Sequence, residues 1–122
     1  MFVNFSNHPS EQWPAAQRDA ASVYGEITDT PFPSVPADAT ADEIDAMADE
    51  CVSRILRKRP GAVMCQGEFT LTFAVVSKLR LNGITAVAAC SERKTVEITE
   101  NGTTRKTAVF DFRQFREYSP YL

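Results

Sequence analysis

The chain has 122 residues and a mass of 13.5 kDa, enough for one ordinary core and too short for two. Hydrophobic residues at 43% and charged residues at 24% exclude the low-hydrophobicity composition of a disordered chain. Thirteen Lys and Arg against sixteen Asp and Glu leave a formal charge of −3, so no overall field draws in duplex nucleic acid, and any phosphate ligand must be captured locally.

Met1 to Ser6, with Phe2, Val3 and Phe5, reads as a buried strand that stops at Asn7-His8-Pro9-Ser10, a cluster of turn and cap residues. An Ala-rich helix is expected over residues 15–24, with Pro14 at its entry and Gly25 past its end. A short strand over 26–30 leads into Pro31-Phe32-Pro33-Ser34-Val35-Pro36, too dense in proline for helix or central sheet and therefore an extended connection. Thr40-Ala41-Asp42-Glu43 is a capping box. Behind it Ile44, Met47, Cys51, Val52 and Ile55 recur at helical spacing, and Arg57 to Arg59 with Pro60-Gly61 form a solvated helix end.

Ala62-Val63-Met64-Cys65 is an uninterrupted apolar run, the mark of a strand covered on both faces, and a helix follows from about Thr70 to Asn82. A second apolar strand is expected over 84–90. Val96 and Ile98, the turn dipeptide Asn101-Gly102 and the alternating Ala108, Phe110 and Phe112 predict an antiparallel hairpin over about 94–112. The aromatic tail 115–122 should tuck against the domain or a second copy. Strand and helix in alternation predict an α/β fold: one Rossmann-like domain over residues 1–122, in three layers, with a mainly parallel sheet of order 2-1-3-4 extended by the C-terminal hairpin.

No apolar run reaches the roughly 18 to 20 residues of a membrane span, and the opening segment lacks a basic leader, so a cytoplasmic protein without a membrane partner is expected. Cys51, Cys65 and Cys90 are odd in number, lie in apolar stretches and form no CxxC pair, which reads as reduced, buried thiols. With His8 as the single histidine, a His-based zinc cage is impossible, and neither a metal nor a cofactor is expected.

In an open parallel sheet, ligands bind beyond the carboxyl ends of the strands, near the point where strand order reverses. That rule selects three loops: Ser6-Asn7-His8-Pro9-Ser10, Gln66-Gly67-Glu68-Phe69-Thr70, and Ser91-Glu92-Arg93-Lys94. Gly67 before a helix start reads either as a phosphate seat, with Thr70 as a further donor, or as an ordinary turn; no GxGxxG or P-loop motif is present. His8 is the first candidate for proton transfer, or else caps its own loop. Ser10 lacks a nucleophile elbow. Arg93 and Lys94 could grip phosphate or simply face water at a strand end.

The stretch Asn4 to Ser10 after a first strand, with the Gly67-Glu68-Phe69-Thr70 turn and Ala88-Ala89-Cys90-Ser91-Glu92-Arg93, resembles small stand-alone CRISPR-associated Rossmann-fold (CARF-like) proteins of type III systems. That resemblance implies a homodimer that binds a cyclic oligoadenylate second messenger, some relatives being ring nucleases that cut it without metal through the ribose 2′-hydroxyl, leaving a 2′,3′-cyclic phosphate. It puts Asn7, His8, Ser10, Gly67, Glu68 and Thr70 on the ligand but matches no catalytic residue; the chemistry of the loop itself makes His8, with Ser10 beside it, the catalytic candidates. Loop position adds Ser6, Gln66, Ser91 and Arg93 as ligand-binding residues. The alternatives are a non-catalytic sensor or sequestering module of the same messenger, and a dimeric interaction protein.

Overall fold

The computed structural model describes residues 1–119. In chain order it contains β1 (Phe2–Ser6), a single 3-10 turn (Ser10–Gln12), α1 (Ala15–Ser22), β2 (Ile27–Pro31), α2 (Ala41–Arg57), β3 (Ala62–Cys65), α3 (Phe69–Leu81), β4 (Ala86–Glu100) and β5 (Thr103–Glu117). The strands form one sheet in the order β2-β1-β3-β4-β5. β1 pairs in parallel with β2 and β3, β3 pairs in parallel with β4, and β4 and β5 are antiparallel. The α/β class, the parallel order and the C-terminal hairpin thus follow the sequence pattern.

Every residue of β1 and β3 is buried. Because side chains alternate along a strand, β1 feeds two clusters. Val3 and Phe5 join Val63 and Cys65 beneath Ile44, Ala48 and Ile55 of α2 and Leu71, Val75 and Leu79 of α3. Phe2 joins Trp13, Ala21, Met64 and Val87, with Phe115 packed alongside. α2 is entered through the expected capping box: Thr40 Oγ1 accepts from the Glu43 amide while Glu43 Oε1 accepts from the Thr40 amide, both at 3.1 Å.

Lys58, one of the basic residues expected to be solvated, turns inward. Its ammonium donates to Thr28 Oγ1, to the Asp29 carbonyl and to Thr30 Oγ1, and so ties the end of α2 to β2. The thiols also divide. Cys51 and Cys65 are buried, and burial, with Cys51 close by, pushes the Cys65 thiol up to about 12, while Cys90 is only half-buried, which corrects the expectation for that residue.

The largest departure is at the C-terminus. A strand over 84–90 and a separate hairpin strand were expected, with a loop at Ser91 to Lys94 between them; β4 instead runs without a break from Ala86 to Glu100. The polar run stays in the strand because its charges are matched across the ladder. Lys94 and Arg113 lie against Asp111 and Glu92, the Lys94 to Asp111 pair at 3.2 Å. β5 then returns over fifteen residues through Asn101-Gly102, both with positive φ as a two-residue hairpin turn requires. Phe115, expected in a tail, is a β5 residue whose ring lies 5.0 Å from that of Phe2. Tyr118 does tuck in, donating from its hydroxyl to the Cys65 carbonyl, and Tyr121 lies outside the described residues.

Removing the Thr40 hydroxyl leaves the Glu43 amide without its side-chain partner. Thr40→Ala is expected to lower stability by about 1 kcal/mol, within the usual range for loss of an N-cap, as read from the urea midpoint at unchanged slope.

Candidate functional site

At the reversal point of the sheet, β1 and β3 end side by side and their chains part to opposite faces, so Ser6 to Ser10 and Gln66 to Thr70 come together as expected. The Gln66 amide donates to the Phe5 carbonyl, which joins the two loops at their roots.

The loop after β1 is built on a buried carboxamide. Asn4, 1% exposed in the middle of β1, donates from Nδ2 to the His8 carbonyl at 2.9 Å and to Asp29 Oδ1 at 3.0 Å, and its Oδ1 accepts from Ser6 Oγ at 2.6 Å. Ser6 Oγ in turn accepts from the His8 amide, and Asp29 Oδ2 accepts from the Ser10 amide. Trp13 Nε1 donates to the same His8 carbonyl at 3.0 Å. The backbone of this loop is therefore held from three elements, while the side chains of Asn7 and His8 stand exposed. Ser6, expected on the ligand, spends its hydroxyl inside the scaffold and is 8% exposed. Ser10 is half-buried and opens the 3-10 turn.

At the second loop the helix end is capped by the chain itself. Glu68 is the N-cap of α3: its carboxylate accepts from the Thr70 amide at 2.8 Å, the Leu71 amide at 3.0 Å and the Thr70 hydroxyl. Of the two readings of this turn, the geometry is that of the ordinary one: the chain's own carboxylate occupies the helix end, and the Thr70 hydroxyl and these amides hold its pKa below the usual glutamate range. Gly67 has a packing reason. A Cβ built there falls 2.5 Å from the Phe32 ring, which stacks on Phe5 with centroids 4.8 Å apart. The proline-rich connection therefore lays a buried aromatic ring over the crevice between β1 and β3. Gln66 likewise works within the fold: its side-chain oxygen accepts from the Ala89 amide, where the β3–β4 ladder has ended.

The third expected loop does not exist. Ser91 and Arg93 lie in β4 beyond the register shift that separates Cys90 from Ser91, exposed and opposite Phe112 and Phe110 of β5. Strand continuity carries them away from the crevice, so they belong to the hairpin. Sequence reading also missed Asn4, Asp29, Trp13 and Phe32. A single amide inside the otherwise apolar Phe2-Val3-Asn4-Phe5 was the one local signal available for this scaffold. Two exposed aromatic rings, Phe69 and Phe73, stand one turn apart on α3 next to the second loop. Among the described residues no group of three or more His, Cys, Asp or Glu is placed to hold a metal ion, and no helix is long and apolar enough to cross a membrane.

Fold and site together define a small α/β protein with a mainly parallel sheet, a braced loop after its first strand and a long C-terminal β-hairpin. The chain belongs to the Uncharacterized protein MJ1673 family, which it matches over residues 1–116. No curated protein and no solved structure matches it.

Two outcomes check this geometry. Gly67→Ala is expected to cost about 1–3 kcal/mol in urea unfolding, because the added methyl overpacks the Phe32 ring. Glu68→Ala should melt lower than the parent at pH 7. Since the folded-state pKa of Glu68 is depressed, its contribution is full above the unfolded value near 4.5 and disappears as pH falls through the folded one, so melts at pH 7 and pH 3 should show the gap closing.

Proposed function

We propose that the protein binds a cyclic oligoadenylate second messenger through the loop after β1, and that it cleaves the ring without metal: a ribose 2′-hydroxyl loses its proton and attacks the adjacent phosphate, the P–O5′ bond breaks, the 5′-oxygen leaves as a protonated hydroxyl, and a 2′,3′-cyclic phosphate remains. The observation that carries the reading is the bracing of that loop. A buried amide, a serine, an aspartate and a tryptophan all hold the backbone around His8, and the fold leaves Asn7 and His8 facing outward. Such pre-organisation is what phosphate recognition and in-line cleavage require, because the reaction needs positioned donors rather than a new bond to the protein.

In this reading Asn7 and His8 hydrogen-bond the phosphates, His8 moves the proton, and Ser10 supports it from the same loop. Adenine bases stack on Phe69 and Phe73, whose faces are open beside the crevice. Glu68 and Thr70 serve as the helix cap and contribute through their backbone position. The protein acts in the cytoplasm as a homodimer of three-layer Rossmann-like domains, since a cyclic ligand with two-fold symmetry is met by two copies of one loop.

A second reading, a sensor that binds without cutting, is favoured by one observation: Glu68 already fills the helix end that would otherwise stabilise a developing phosphorane charge.

Incubation of cyclic tetra- or hexa-adenylate with the protein and a chelator, followed by chromatography, separates the two. Cleavage is expected, with His8→Ala slowing the single-turnover rate by roughly 10²–10⁴-fold at unchanged thermal stability. Binding without cleavage leaves the sensor, and binding of neither ring overturns the messenger reading.

A further inference from the structure

The two edges of the sheet are finished differently. β2 is five residues long, ends in Pro31 and is tied down by the Lys58 ammonium, three devices that keep an edge from pairing. β5 has none of them: it presents a fifteen-residue edge without proline. From Ser91 outward the β4–β5 ribbon leaves the body of the domain and projects by about 30 Å, at roughly 3.4 Å per residue. Almost all of its residues are exposed, including Val96, Val109 and Phe110, the last at 68%. A two-stranded ribbon is marginal in water by itself, whereas three or more strands sustain one another.

We propose that the free edge of β5 pairs antiparallel with the β5 edge of a second copy of this chain, about a two-fold axis at Ala108. The choice of register comes from charge and size. With Ala108 opposite Ala108 of the other copy, Arg105 faces Asp111 and Asp111 faces Arg105; Asp111 already lies against Lys94 and Arg113 of its own ribbon but stays 47% exposed, so the symmetric contact extends that ion-pair row across the axis twice. Lys106 falls opposite Phe110, whose other neighbour is Arg93 on β4, so cations flank the exposed ring on both sides. Thr107 meets Val109, and the smallest side chain sits on the axis.

Neighbouring registers are worse. An axis at Thr107 leaves Arg105 opposite Val109 and Asp111 opposite Thr103, so both charge pairs are lost; one at Lys106 sets two ammonium groups face to face, one at Val109 opposes Arg105 to Arg113, and one at Phe110 sets Val109 against a carboxylate. A nucleic-acid partner fits the ribbon poorly. Between Ser91 and Arg113 it carries five cations against four anions, and two of those cations, Lys94 and Arg113, are already paired with Glu92 and Asp111. This pairing joins the protein through its hairpin and involves none of the residues around His8, so it stands or falls separately from the messenger reading.

The test is self-association without ligand. At tens of micromolar the full chain should sediment at twice its 13.5 kDa mass. Arg105→Asp and Asp111→Arg should each sediment as monomers, since each variant alone opposes like charges, and an equimolar mixture of the two should recover the dimer. Residues opposite each other at the axis have Cα atoms about 5 Å apart, within disulfide reach, so Ala108→Cys should cross-link two chains on mild oxidation. Thr104→Cys, about 27 Å from its copy in this register, should not. A monomeric parent chain, a mixture that stays monomeric while circular dichroism shows both variants folded, or cross-linking at position 104 and not at 108 would each overturn the proposal.

Discussion

The carboxamide of Asn4 is the polar group on which the carboxyl edge of this sheet depends. It lies inside a strand covered on both faces, where an unpaired amide would cost roughly 1–3 kcal/mol, and it is satisfied by reaching along and across the sheet. Each of its bonds does a structural task. One draws the His8 carbonyl back over the end of β1, one holds Asp29 on β2, and one orients Ser6, whose oxygen then receives the His8 amide. Asp29, so positioned, receives the Ser10 amide and carries the chain into the 3-10 turn. A single side chain thus couples two strands and a loop, and the outward position of His8 follows from it.

The same edge shows how an open parallel sheet can close its own crevice. Phe32 lies on Gly67, and Glu68 satisfies the first amides of α3. Both fill places where α/β proteins often hold a ligand, and both increase the order of the fold instead. What stays open at this edge is the loop after β1, with Asn7 and His8 exposed, and the aromatic pair Phe69 and Phe73 on α3.

The hairpin is a separate physical problem. Its inner part is packed: Phe115 lies against Phe2 and Trp13, and Tyr118 reaches the end of β3. Its outer part is held by its own ladder, the Thr99–Thr104 hydroxyl hydrogen bond at 3.0 Å and the ion pairs of Glu92, Lys94, Asp111 and Arg113. The register shift next to Cys90 marks the boundary, with Arg113 as the extra residue that lets the ribbon turn away from the sheet.

Sequence alone determined what depends on local pattern. The apolar runs at β1 and β3, the capping box of α2 and the Asn101-Gly102 turn each specify their element through nearby residues, and alternation of strand and helix is enough to imply a parallel sheet. Tertiary structure decided the rest. Ser91 to Lys94 read as a loop because charge in a chain usually means solvent, and only the facing strand, with Asp111 and Arg113 some twenty residues away, makes those positions a ladder. Glu68 read as a ligand contact because its two hydrogen-bonded amides become a cap only once the helix has formed. Asn4, Asp29 and Phe32 were hidden for the same reason: each acts on a residue distant in sequence, and a contact of that kind exists only when the sheet has brought the two together.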